Sequence, residues 1–315
     1  MALATDELVR KATTTTTTLA ATIPHIWSGQ LERNLRKRAV FEQSVVVNTD
    51  LLVPGAGDII YIPILPDLGQ ADALTEGTDM TVYALSTATS VGFTPTEYGK
   101  VVEVTRKALD RIKFDGMAAI IDRLAYSMSQ RIEGNIASLF NAAVPGTSSY
   151  INKIYANGKL TGTITTSDTF NDVLILTGIA NLEVANNIPY DDGYWRMYIS
   201  PTQYLALIQD TNTRQDLRWA APERLLNGEV GALHGCRIIV TNYIQTTAEG
   251  SGGAVTVQNA MLLAPRWAAI AYKRKPEVYV DPTLYDGGRR RRFGVTADFD
   301  AEVLHYERAQ ILGSA

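Results

Sequence analysis

Residues 180–207 read ANLEVANNIPYDDGYWRMYISPTQYLAL, and three elements are visible in them. An apolar helix closes near residue 186, because Asn187 and Pro189 stop it. After the turn at 190–194, Trp195-Arg196-Met197-Tyr198-Ile199 read as a strand rich in aromatic and β-branched side chains. Ser200 then offers an N-cap and Pro201 a first helical position, which predicts a helix to about Gln209. Helix, strand and capped helix in quick succession mark an α/β unit.

Working outward, Ser167 or Asp168 is the expected cap of the first helix, predicted over 169–186. Residues 210–232 are polar and irregular, with Arg214, Arg218 and Trp219 prominent. Residues 237–244 read as a strand, 246–258 as a Gly/Ser/Thr turn, and a further strand starts at Met261. The stretch 277–311 is β-rich, with 278–280 and the alternating run 293–306 as strands. Terminal strands of this kind are expected to pair with early chain.

Before the α/β unit, residues 109–143 contain no proline, and Met117, Ile121, Leu124, Met128, Ile132, Ile136 and Leu139 recur at helical spacing. One helix of about 45 Å is expected there, with Pro145–Gly146 ending it. Gly116 and Gly134 cost such a helix about 1 kcal/mol each against alanine, which predicts close packing at both. Earlier still, 45–47, 59–62 and 101–104 read as short strands, and residues 19–43 as partly helical. Between the strands, 66–92 form a Gly/Thr/Asp/Ala-rich excursion, a length that is uncommon unless functional or ordered by a partner.

The charge is unevenly distributed. The chain of 315 residues carries 29 basic and 33 acidic side chains, net −4, which excludes a general nucleic-acid glue. Residues 49–105 alone hold Asp50, Asp58, Asp67, Asp72, Glu76, Asp79, Glu97 and Glu103 against Lys100. Residues 1–48 are net positive, with Arg33, Arg36, Lys37 and Arg38 clustered. An acidic segment beside basic ends fits a surface that meets something basic; solvation of an exposed loop is the plainer reading.

Chemistry-bearing residues are few. One cysteine, Cys236, excludes a disulfide framework, and His25, His234 and His305 are too few for a histidine metal site. No phosphate loop, GxGxxG, HExxH or GxSxG occurs. Asp191-Asp192-Gly193 is better read as a turn than as a cation loop. Cys236 reads as a small core residue, and His234 and His305, lacking carboxylate motifs, as structural. No secretory signal, apolar span or glycosylation acceptor is present, so the expectation is an intracellular product without catalysis, cofactor or metal. The run Arg289–Arg292 either neutralises phosphates or flanks a strand and pairs with carboxylates of a neighbour; the second is preferred for a net-negative chain.

The order of these elements resembles the major capsid proteins of tailed bacteriophages, the Hong Kong 97-type fold. Residues 180–207 are similar to the family's helix, strand and Ser-Pro helix. LHGCRIIVTNYI at 233–244 and NAMLLAPRWAAIAYKRKPEVYVD at 259–281 resemble its later strands. The resemblance implies an α+β chain divided as follows: an N-terminal arm over 1–48, an extended loop with flanking strands over 49–105, a peripheral domain with a long spine helix over 106–167, an α/β axial domain over 168–260, and a return to the peripheral domain over 261–315. It also implies a head protein that packs with itself as hexamers and pentamers in an icosahedral shell around double-stranded DNA. The resemblance further implies assembly in the host cytoplasm and residence in the virion. Portal and decoration proteins are the other implied partners; since no charged helical segment precedes Ile23, scaffolding is expected to be a separate protein or unnecessary. DNA contact is expected to be weak and non-specific, with no membrane involved. Inter-subunit contacts are expected at Arg33, Arg36, Lys37, Arg38, Asp67, Asp72, Glu76, Asp79, Arg289, Arg290, Arg291 and Arg292. The alternatives are an encapsulin-type nanocompartment shell, or a soluble α/β enzyme with a polar pocket.

Overall fold

The computed structural model describes residues 40–50, 59–65, 70–82, 89–111, 116–142, 151–211, 213, 231–281, 287 and 289–315. In chain order the elements are β1 (Val46–Asn48), β2 (Ile60–Ile64), β3 (Thr89–Phe93), β4 (Thr96–Thr105), α1 (Arg106–Arg111), α2 (Gly116–Ser138) and β5 (Asn152–Tyr155). They continue with α3 (Asp172–Val184), β6 (Trp195–Ile199), α4 (Pro201–Gln209), β7 (Ala232–Leu233), β8 (Cys236–Val240), β9 (Thr246–Glu249), β10 (Val255–Leu263), β11 (Ala268–Val280), β12 (Arg290–Val303) and β13 (Ala309–Ser314).

Two sheets carry the fold. The smaller has the order β1-β11-β12-β4, with β1 parallel to β11 and the other pairs antiparallel. The larger has the order β5-β13-β10-β6-β8-β7, with β9 added beside β10. A separate ribbon, β2-β3, stands apart from both. Early and late chain are indeed tied: β1 joins β11, and β4 joins β12. The last strand, β13, pairs with β10 and β5 in the larger sheet, so the C-terminal segment contributes to both sheets.

Helix α2 explains the smaller sheet. Leu124, Met128, Ile132 and Ile136 lie on one stripe and are buried. They pack on alternate residues of β12, among them Phe293, Val295, Ala297 and Phe299. Each such side chain contributes roughly 1.5–3 kcal/mol of burial. The core extends to Tyr198, Met261 and Ile311, which face it from the larger sheet. The other face of the larger sheet is covered by α3 and α4, whose Leu174, Ile175, Ile179, Leu182 and Leu207 meet Met197, Ile199, Leu262 and Leu312.

Several expectations need correction. The helix is described in two stretches, α1 to Arg111 and α2 from Gly116, with residues 112–115 outside the described residues, and a 3-10 turn (Leu139–Ala142) closes it. The 23 residues of α2 span about 35 Å. Gly134 faces open space, so no close packing offsets its cost. The cap of α3 is Asn171, whose Oδ1 accepts the Leu174 N–H at 3.0 Å, not Ser167 or Asp168. Asp168 closes its own turn instead, accepting from Thr165 and Asn157. The run 246–258 is not merely a turn: β9 and β10 form a hairpin around Ser251–Gly253, and Met261 lies near the end of a strand. Pro276 sits in β11 where register shifts mark bulges, beyond the stretch that pairs with β1. By contrast β6 and α4 lie where the sequence places them, and Ser200 forms a full capping box with Gln203.

Candidate assembly surfaces

The first surface grows from the β2-β3 ribbon. Its register runs from Ile60 opposite Phe93 to Ile64 opposite Thr89. A lone two-stranded ribbon is marginal in water, and this one is rooted by packing. Phe93 is fully buried against Ala269 and Ala271, with Ile60, Ile62 and Val91 around it, on the face of β11 opposite α2. Asp300 Oδ2 accepts the Thr94 N–H at 2.8 Å and pins the exit. Beyond the root, every described residue of 70–82 is exposed, including Leu74, Met80 and Val82. A turn closes at Gly77, whose φ of 81° suits glycine, and the Thr78 N–H donates to the Thr75 carbonyl. Asp72, Glu76 and Asp79 are exposed on this loop. Asp67 lies outside the described residues.

The second surface lies around residues 40–42. Phe41 and Val40 are buried, and the carboxylate of Glu133 on α2 accepts the backbone N–H groups of Val40, Phe41 and Glu42 at 2.9–3.2 Å. The Phe41 ring packs at a tilt of 54° against Tyr198, centroids 4.9 Å apart, and the Tyr272 hydroxyl donates to Glu42 Oε1 at 3.0 Å. Burial pushes the Tyr198 phenol up to about 12. Sequence reasoning missed Glu133; its one signal is a carboxylate directly beside the apolar position Ile132. Arg33, Arg36, Lys37 and Arg38 fall outside the described residues.

The third surface is the arginine run. Arg289 and Arg291 are exposed, whereas Arg290 and Arg292 lie on the other face of the strand and reach Glu103 of β4. Arg290 Nη1 donates to Glu103 Oε1 at 2.8 Å and Arg292 Nε to Oε2 at 2.7 Å. Arg292 first, then Arg290, holds the Glu103 carboxyl below its ordinary range. Within the single chain these two pair with Glu103, because β12 and β4 are antiparallel with Arg292 opposite Glu103.

The remaining polar residues have structural partners. Asp192 caps its own turn through the Tyr194 N–H and binds Arg196 at 2.9 Å and Arg237 at 3.4 Å. His234 has a carboxylate partner, the largely buried Asp172, and His305 lies 3.5 Å from Glu307. Burial, then the nearby Arg308, lowers the His305 pKa. A buried ion pair joins Lys153 of β5 to Glu249 of β9, with Thr247 and Tyr155 beside it. Cys236 is enclosed in the core and burial raises its thiol to about 12.

The sequence matches the phage capsid protein family over residues 88–310, more than two thirds of the chain. No curated protein sequence matches it. Among solved structures, the capsid of cyanophage P-SCSP1u superposes with a TM-score of 0.74 at 14% identity, covering 94% of each chain. The capsid asymmetric unit of cyanophage Pam1 gives 0.73 at 16%, covering 94% of this chain and 98% of that one. The capsid of Ralstonia phage GP4 gives 0.71 at 15%, covering 92% and 94%. The chain belongs to the phage capsid protein family and has the Hong Kong 97-type fold that its sequence pattern resembles.

Proposed function

We propose that this chain is a head subunit that assembles with copies of itself, as hexamers and pentamers, into an icosahedral shell around double-stranded DNA. The observation that carries the reading is the loop 70–82, exposed along its whole described length and held out by a rooted ribbon. A folded chain gains nothing from exposing Leu74, Met80 and Val82 to water, but a neighbour's surface can cover them. Its carboxylates Asp72, Glu76 and Asp79 suit a basic surface on that neighbour, formed by the Arg33–Arg38 region or by the exposed Arg289 and Arg291. Each exposed pair contributes only about 0–1 kcal/mol, so repetition over many subunits supplies the strength. In this reading 1–48 is the arm and 49–105 the extended loop. Residues 106–167 and 261–315 form the peripheral domain, and 168–260 is the axial domain. The role is structural rather than catalytic. Portal, scaffolding and decoration proteins are its further partners, DNA contact is weak, and assembly takes place in the host cytoplasm.

Sedimentation and negative-stain microscopy of the purified chain test this. Closed, uniform shells are the expected result. A small oligomer that persists under every assembly condition overturns the proposal.

A further inference from the structure

Helix α3 has two apolar faces, and the fold uses one. Leu174, Ile175, Ile179 and Leu182 point into the core, and Gly178 lets the helix approach Leu312 and Leu262. The opposite stripe is Val173, Leu176, Thr177, Ala180 and Val184, again at helical spacing, and all five are exposed. Val173 is 56% and Val184 82% accessible. The charged residues of this helix are only Asp172, turned toward His234, and Glu183. Surface helices that stay monomeric carry polar residues on the outer stripe; a helix apolar all round belongs in an interior. Beside the stripe lies a cleft of about 390 Å³ that includes Leu160, Val173 and Thr177 in its walls. Leu160 is 70% exposed at its rim.

Position in the sheet indicates what covers this face. Helix α3 rests on β13 and β5, the edge at one end of the larger sheet. The half carried by β6 and β8 also shows apolar side chains to solvent: Leu205 on α4, which leaves the end of β6, and Val240 at the end of β8. A ring of identical subunits needs two different, complementary faces on each copy, and this domain has an apolar one on each half of its sheet.

Resting on the shell-subunit reading above, we infer that the Val173–Leu176–Val184 face of α3 is the lateral interface of the capsomer, covered by the Leu205–Val240 side of the axial domain of a second copy. The contact is head-to-tail and repeats around the ring.

Two experiments on the full chain test the inference. The double variant Val173→Lys with Leu176→Lys is expected to melt like the wild type, since both side chains are solvated in the single chain. Its yield of particles should fall by about tenfold or more. In the second, Val173→Cys with Leu205→Cys is assembled and oxidised; the native thiol, Cys236, is buried and does not interfere. A ladder of cross-linked oligomers on a denaturing gel is expected. Wild-type particle yield from the lysine variant, or assembled cysteine-variant particles that release only monomers, overturns the inference and leaves the shell-subunit reading intact. A wild-type chain that never assembles removes both. If the lysine variant misfolds, the cross-linking result alone decides.

Discussion

Glu133 holds Phe41 by its backbone: both carboxylate oxygens accept the Phe41 N–H, at 3.1 and 2.9 Å, although 92 residues separate the two. The same carboxylate takes the N–H groups of Val40 and Glu42, where a 3-10 turn (Glu42–Ser44) begins. A buried anion is thereby satisfied by three donors that have no helical acceptor of their own. Residues 40–42 are thus fastened to α2 through their backbone.

Glu133→Ala is expected to destabilise the chain by about 2–4 kcal/mol, because buried N–H groups lose their acceptor and Phe41 loses its anchor. Glu133→Gln keeps one carbonyl oxygen and should cost less than half as much. Chemical denaturation of both variants at neutral pH provides the measurement, and equal losses contradict the anchoring role.

Gly178 is the point where α3 meets the larger sheet. A Cβ there lies 2.8 Å from Leu312 Cδ2 and 3.2 Å from Leu262 Cδ2. Gly178→Ala improves helix propensity by about 1 kcal/mol, but overpacking costs about 1–3 kcal/mol. A net loss of stability is expected, read as a lower melting temperature. Gly134→Ala, in open space on α2, should raise it.

Burial encloses the Lys153–Glu249 pair, with side chains 4% and 8% exposed. Desolvation lowers the Lys153 pKa. Desolvation alone raises the Glu249 pKa, but hydrogen bonds from Lys153 and Thr247 outweigh it and leave the pKa lowered. Lys153→Met strands a carboxylate and is expected to cost about 3–5 kcal/mol, whereas Lys153→Met with Glu249→Leu should recover most of that loss. Unfolding free energies of both variants and of Glu249→Leu alone close the cycle.

What the sequence made legible was local. Ser200, Pro201 and Gln203 announce α4 because capping chemistry is complete within four residues, and β6 is marked by its own side chains. The start of α3 misled because Ser167, Asp168 and Asn171 are all competent caps, and the choice falls to whichever is freed by the preceding turn. The hairpin of β9 and β10 hid behind Gly, Ser and Thr, since its stability comes from pairing and from Val255 and Val257 packing beneath it. The candidate assembly surfaces were legible as charge, not as contacts. Nothing near Arg290 or Arg292 in sequence points to Glu103, 187 residues from one and 189 from the other; only the register of β12 on β4 supplies it.

That cross-strand cluster gives the pH prediction. Glu103 has a folded pKa below its ordinary value of 4.5, with Arg292 and Arg290 as the cause. A carboxylate of this kind binds its proton more readily in the unfolded chain. Its contribution is therefore fully present above pH 4.5 and is lost as the pH falls through the lower folded value. The cluster is exposed, so the effect is modest and screened by salt. Wild type and Glu103→Gln should differ in melting temperature at pH 7 in low salt, and the difference should shrink at high salt and close in strong acid. A gap that stays constant from neutral to acid pH means that Glu103 stabilises the β4-β12 pairing by packing, and that the arginines spend their charge elsewhere.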